Sequence, residues 1–333
     1  MRATITGVGH YVPEKRLTNA DLEKLVDTTD EWITTRTGIK ERRILQDGEG
    51  TSYMAIKAAK DALATAKADP LDIDLIIVGT LTPDMPVPGS ATIVQAAIGA
   101  ANSWCYDING GCSGFLCSLV TGIQFVESGR YKKVLVIGAD KMSVVTDYTD
   151  RSTCILLGDA AGAVVLEPSS NDNEGIIDFI MKADGGGAHN LRIEAGGSLM
   201  PASCETVLNK QHFFRQEGQA VFKRAVREIA DVAEEIVIKN GLQKEDIDLL
   251  VPHQANLRII DAAARRLNLP IEKVVINIDR YGNSSAGTIP TALSEAWRQG
   301  RIEKGDYLLF AAFGAGYMWG SILLKWTMDK PDK

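Results

Sequence analysis

The sequence predicts a layered α/β protein built from two similar halves, and three observations carry that expectation. Apolar runs of strand length (73–80, 132–140, 162–168, 248–254 and 307–314) alternate with amphipathic helical stretches, the pattern of sheets covered by helices. A helix leads into Asp72-Ile73-Asp74-Leu75 and a strand, and a later helix leads into Asp246-Ile247-Asp248-Leu249 and another strand. The echo continues where KKVLVIGA and GDAAGAVVLE are answered by GDYLLFAAFGAGYMWGSILLKW, the self-similarity that a duplicated unit leaves.

Taken in order, SWCYDI at 103–108 reads as a strand running into a glycine turn, after which Phe115, Leu116, Leu119, Val120, Ile123 and Val126 recur at helical spacing. The boundary between halves falls in the polar stretch Glu167 to Glu174, giving an N-terminal half 1–172 and a C-terminal half 173–333. Gly185 to Ser203 reads as a surface loop or lid, and Thr291 to Gln299 as a helix. Gly314-Ala315-Gly316 splits the apolar run Tyr307 to Leu324 into two buried strands with a turn. That run, Met85 to Tyr106 and Ile108 to Val126 approach the length of a membrane span, but Gly, Pro or Asn interrupts each, so no span is expected.

A chain of 333 residues with formal net charge -7 and a pI of about 5.3 repels nucleic acid and lacks a polybasic membrane anchor. The start, MRATITGVGHYVP, has no apolar signal core, so a cytoplasmic location is expected. Cysteines 105, 112, 117, 154 and 204 match neither a disulfide framework nor a zinc pattern, and reduced thiols are expected. Histidines 10, 189, 212 and 253 include no pair on one helix face, so no metal site is expected. Gly7-Val-Gly9 lacks the third glycine of a dinucleotide turn, Gly185 to Gly187 precede no clear helix, and no phosphate loop is present.

Chemistry concentrates at three places. Cys112 stands in Asp107-Ile-Asn-Gly-Gly-Cys-Ser-Gly-Phe, on a tight turn between strand and helix, where the helix dipole favours the reactive thiolate. His253 follows the strand DLLVP, at the end of a strand where α/β sheets place ligands. Asn283 lies in the turn-rich RYGNSSAGTIP. A cysteine able to accept an acyl group, with two donors able to hold an enolate oxygen, suits one task and needs no anionic base. Gly314-Ala315-Gly316 adds a close-approach turn whose N–H could join that of Cys112 in an oxyanion hole.

The segments DINGGCSGF, VPHQANLRI, RYGNSSAGTIP and FGAGYMWGSILLKW, in this order, resemble the thiolase-fold condensing enzymes, specifically the β-ketoacyl-acyl-carrier-protein synthase III family, from Thr6 to Trp326. The resemblance implies a layered α-β-α-β-α sandwich and a decarboxylative Claisen condensation of an acyl-CoA primer with malonyl-acyl-carrier protein, without cofactor or metal, in a homodimer. It implies Cys112 as nucleophile, His253 and Asn283 as enolate stabilisers, and the N–H groups of Cys112 and Ala315 as the oxyanion hole. Alanine stands at 315 where the family usually has glycine. It further implies coenzyme A contacts from Thr28, Trp32, Arg36, Arg151, Asn256 and Gln219, the last where asparagine is common. Val87 matches the family residue that reaches across the dimer interface to floor the acyl pocket, with Met142 and Leu157 nearby, and their aliphatic character points to primers that include branched or medium chains as well as acetyl. Lys223 and Arg258, with Arg224 as a weaker candidate, match the rim on which the carrier protein docks. A degradative thiolase would need a second cysteine near the C-terminus, and none follows Cys204. A related condensing enzyme of secondary metabolism and a non-catalytic acyl-CoA-binding protein on the same fold remain alternatives.

Overall fold

The computed structural model describes residues 1–331. In chain order its elements are β1 (Ala3–Tyr11), β2 (Arg16–Thr18), α1 (Asn19–Leu22), α2 (Asp30–Thr37), β3 (Glu41–Arg43), α3 (Thr51–Ala66), β4 (Leu75–Gly79), α4 (Ser90–Ile98), β5 (Trp104–Ile108), α5 (Gly114–Glu127), β6 (Val134–Lys141) and β7 (Asp159–Pro168). There follow β8 (Gly175–Ala183), β9 (Leu191–Ile193), α6 (Cys204–Leu208), β10 (Phe214–Gln216), α7 (Gly218–Lys239), β11 (Leu249–Pro252), α8 (Leu257–Arg266), α9 (Ile278–Tyr281), α10 (Thr288–Arg298), β12 (Tyr307–Gly314) and β13 (Met318–Lys325).

One sheet has the order β1-β7-β6-β4-β5 and the other β11-β12-β13-β8. In the first, β4 is parallel to β5 and β6, while β6–β7 and β7–β1 are antiparallel. In the second, β11 is parallel to β12, while β12–β13 and β13–β8 are antiparallel. Laying β1, β7, β6, β4 over β8, β13, β12, β11 matches every pairing direction, so the sequence echo is a duplicated topology. Even β5 has a vestigial counterpart in the parallel bridge between Leu250 and Val274.

Side-chain alternation along the strands distributes the core between layers. Ile76, Val78, Leu135 and Ile137 pack outward on Ala55, Ala58 and Ala59 of α3 and Val94 of α4. Leu75, Ile77, Val134 and Val136 face inward, onto Phe115, Leu119 and Ile123 of α5, and share that core with Ile289 and Leu293 of α10 and with Leu308 and Phe310 of β12. Leu309 and Ala311 point the other way, to Ile229, Ala233 and Ile236 of α7 and Ile260 of α8. The stacking is α-β-α-β-α, with α5 and α10 in the middle.

The glycines of Gly7-Val-Gly9 serve packing: a Cβ on Gly9 would lie 2.2 Å from Ala62 N, and one on Gly7 2.4 Å from Ala62 O. Strand β1 and helix α3 therefore touch backbone to backbone. The segment Gly185 to Ser203 departs from the loop expectation, because β9 within it pairs antiparallel with β10. Three-residue strands are too short to show an alternation in sequence.

Candidate active site

Strand β5 ends at Ile108, and Cys112 lies in one turn of 3-10 helix, Gly111–Ser113, that runs into α5. Gly111 has φ +53°, and a Cβ there would stand 3.1 Å from Ala315 N, so both conformation and space call for glycine. From the opposite half a Cβ on Gly314 would lie 2.8 Å from Cys112 N. The 314–316 turn is thus seated on the backbone of Cys112. Among the described residues, the non-glycine positions at positive φ are Lys67, Lys210, Asn268 and Ser285; Ala315 is not one of them, and its Cβ costs no strain.

His253 directly follows β11, and its N–H donates to Ala311 O at 2.8 Å. Its neighbour Gln254 donates to Pro252 O and Val275 O and accepts from the N–H groups of Asn277 and Ile278, bolting the strand end to the next segment. Asn283 donates its N–H to Leu156 O at 2.8 Å and accepts from Gly158 N–H at 3.1 Å. Its side-chain Oδ1 accepts from Ser285 N–H at 2.8 Å, which orients the amide and leaves Nδ2 as the end available to a ligand. Cys112, His253 and Asn283 line one cavity of about 120 Å³. Leu157, Leu191, Phe214, Phe222, Ile229 and Phe313 supply apolar wall.

Asp140, fully buried at the end of β6, ties the halves together. Its Oδ1 accepts from the Thr80 and Thr82 hydroxyls and from Leu81 and Thr82 N–H, and its Oδ2 from Ala286 N–H at 3.0 Å. The turn that carries Asn283 is thereby fixed to the first sheet.

Electrostatics corrects one expectation. Burial pushes the Cys112 thiol from 9.0 up to about 11, with the Ser285 hydroxyl opposing the rise and the Asp140 carboxylate adding to it. Such a rise is worth on the order of 3 kcal/mol, whereas the dipole at a helix start supplies about 0.3–1 kcal/mol. Desolvation wins, and the resting group is a thiol rather than a thiolate. Burial also pushes the His253 imidazole down to about 3, so thiol and imidazole meet as neutral partners.

The remaining expected residues divide. Trp32 and Arg36 share α2, and Arg36 and Arg151 place their Cζ atoms 4.8 and 5.0 Å from the Trp32 ring centroid; the expected cluster exists as a surface stack. The buried Thr28 hydroxyl has no hydrogen-bond partner among the described residues. Asn256 lines the cavity, but its side chain caps α8 through Arg258 N–H and donates to Arg36 O at 3.1 Å, so both ends of the amide are already engaged. Gln219 is exposed and outside the cavity wall, where Gln216 and Gly218 stand instead. Of Met142 and Leu157, only Leu157 lines the cavity. Met142 is wholly buried in the core, and Val87, expected to reach across a dimer interface, is 82% exposed in the single chain. Lys223 is exposed, and Arg258 lies over the Phe222 ring at 5.1 Å, on the rim of an α7–α8 groove of about 710 Å³. Arg224 is engaged by Asp184 and Glu228. Sequence reasoning missed Arg265, which lines the same groove; its position in the last turn of an amphipathic helix could have found it.

A doubled α/β sandwich with a thiol, an imidazole and an amide gathered between its halves defines a thiolase-fold condensing acyltransferase. The family description "3-Oxoacyl-[acyl-carrier-protein (ACP)] synthase III" matches residues 106–185, and its C-terminal counterpart matches 237–326. A β-ketoacyl-[acyl-carrier-protein] synthase III of Chlorobium phaeobacteroides is 52% identical over 328 residues, covering 98% of this chain and 100% of that protein. The crystal structure of 3-oxoacyl-[acyl-carrier-protein] synthase III from Aquifex aeolicus superposes with a TM-score of 0.90 at 46% identity, covering 97% of this chain and all of that one. The priming β-ketosynthase of the R1128 polyketide pathway gives 0.92 at 33% identity, with 99% and 97% covered. The chain belongs to the 3-oxoacyl-[acyl-carrier-protein] synthase III family and is an acyltransferase of fatty acid biosynthesis.

Proposed function

We propose that Cys112 accepts the acyl group of an acyl-CoA primer, and that malonyl-acyl-carrier protein then loses carbon dioxide to give an enolate whose oxygen is held by His253 and Asn283. The enolate attacks the acyl-cysteine, with the N–H groups of Cys112 and Ala315 holding the tetrahedral oxyanion, and 3-oxoacyl-carrier protein leaves. The observation that carries this reading is the single cavity lined by Cys112 from one half and by His253 and Asn283 from the other. The chemistry asks for no metal or cofactor.

The Trp32–Arg36–Arg151 stack supports binding of the adenine end of coenzyme A, since a planar base can take the place of one guanidinium on the indole. Lys223, Arg258 and Arg265 enter no ion pair among the described residues, which supports the α7–α8 groove as the seat of an acidic carrier. The exposed apolar residues Met85 and Val87, and Trp104 on the edge strand β5, support burial of these side chains in a homodimer. Among the described residues no helix is long and apolar enough to cross a membrane, and action in the cytoplasm is part of the proposal. The apolar cavity wall favours acetyl and somewhat larger or branched primers alike.

Mass spectrometry after incubation with acetyl-, isobutyryl- and hexanoyl-CoA tests the reading. One acyl mass on the wild type and none on Cys112→Ala is expected. An equal adduct on both, or none on either, would leave a non-catalytic acyl-CoA-binding protein, and an adduct with acetyl-CoA alone would refute the primer range.

A further inference from the structure

One hydroxyl serves two partners behind the site. Thr288 Oγ1 lies 2.7 Å from His253 Nδ1 and 3.0 Å from Ser285 O. A hydroxyl has a single hydrogen, and a backbone carbonyl can only accept. Both contacts are hydrogen bonds in one arrangement alone: Thr288 donates to Ser285 O, and His253 Nδ1–H donates to Thr288. His253, Thr288 and Ser285 are all buried, so water does not compete, and leaving one of these groups unpaired costs roughly 1–3 kcal/mol. The Ser285 carbonyl is itself held in place, because Ser285 N–H donates to Asn283 Oδ1 at 2.8 Å and the following N–H, of Ala286, donates to Asp140.

We propose that Thr288 is a positioning residue that holds neutral His253 as its Nδ1–H tautomer, so that in the resting protein Nε2 offers a bare lone pair to the cavity shared with Cys112. The inference rests on the roles proposed above for Cys112 and His253. It answers a question those roles raise, since a buried thiol needs an acceptor for its proton, whereas an enolate oxygen needs a donor.

Two proton movements meet both needs. As Cys112 Sγ forms its bond to the thioester carbonyl carbon, its proton passes to His253 Nε2. The adduct collapses, the bond from that carbon to the coenzyme A sulfur breaks, and the leaving sulfur takes the proton from Nε2, so coenzyme A departs as a thiol and His253 is neutral again. Beside the anionic malonyl group, whose charge favours the protonated imidazole, Nε2 takes up one solvent proton and presents Nε2–H to the thioester oxygen. Loss of carbon dioxide moves an electron pair onto that oxygen as the enolate forms. The new carbon–carbon bond then forms, the bond from the acyl carbon to Sγ breaks, and the Cys112 thiolate retrieves the proton from Nε2. The cycle consumes one solvent proton, and Nδ1–H stays on Thr288 throughout.

Nitrogen-15 NMR of histidine-labelled protein reads the tautomer directly, with four histidines to resolve and His253→Ala to assign the signal. The expected wild-type spectrum shows a bare Nε2 and a protonated Nδ1. Thr288→Val should shift His253 toward the Nε2–H form and slow acylation by acyl-CoA about 100-fold, the scale of a lost general base, and Thr288→Ser should restore both. A wild-type His253 found as Nε2–H would overturn the inference even if the valine variant does not fold, as would Thr288→Val with unchanged tautomer and acylation. Condensation by His253→Ala at the wild-type rate would instead remove the underlying role of His253, whatever its tautomer.

Discussion

An imidazole that stays neutral down to about pH 3 has a consequence for acid stability. In the unfolded chain a histidine binds its proton below about 6.5, so between that pH and about 3 the unfolded state holds a proton that the folded state lacks. Stability is complete above 6.5 and falls with decreasing pH, by about 1.4 kcal/mol per unit from this group. His253→Gln should therefore flatten the acid limb of the melting temperature against pH between 6.5 and 4, as measured by calorimetry; an unchanged slope would assign that limb to other groups. At this scale the shared cavity of Cys112, His253 and Asn283 was legible because Cys112 and Asn283 sit in short motifs of glycines and turn residues, and His253 directly follows a strand, where α/β sheets place ligands. Asp140, Gln254 and Thr288 were not, because each acts through a hydrogen bond to a segment remote in sequence, such as Asp140 to Ala286. The state of the thiol was misread for a related reason: sequence reveals a helix start, but not how deeply the fold buries the residue beside it.

Strand β1 meets helix α3 without side chains between them, and the closest atoms belong to backbone that cannot rotate away. Gly9→Ala would set a Cβ 2.2 Å from Ala62 N and 2.5 Å from Ala58 O, so the helix must shift, at an overpacking cost of about 1–3 kcal/mol that lowers the melting temperature by several degrees. Gly197→Ala, with nothing within 4 Å, is the control and should melt close to the wild type. Equal melting of the two variants would show that β1 and α3 yield freely. The principal strands were legible as apolar runs, and the β12–β13 hairpin from its glycine punctuation. The pair β9–β10 was hidden by its brevity, although it brings Leu191, Phe214 and Gln216 to the cavity wall. Met142 fell at the buried start of a 3-10 turn whose orientation no sequence period specifies.

The whole molecule carries a net charge of -7, yet the α7–α8 groove presents Arg258 and Arg265 with Lys223 nearby on α7. An acidic carrier steered to this patch should bind with a strong dependence on salt. Arg258→Glu combined with Arg265→Glu should raise KM for malonyl-carrier protein about tenfold at low ionic strength, and the difference should shrink at high salt. A KM that ignores both the substitutions and the salt would move docking elsewhere. The duplicated topology was visible in the repeated Asp-Ile-Asp-Leu and in the paired strand motifs, and the interdigitation of the halves was not. Phe115 and Leu119 of the first half share one core with Ile289, Leu293 and Phe310 of the second. Neither half could be cut away without opening that core to water, so the two copies have one folding equilibrium between them. What began as two units that could be counted is now, thermodynamically, a single object, and a loss of packing anywhere in the middle layer is felt by the thiol on one side and the imidazole on the other.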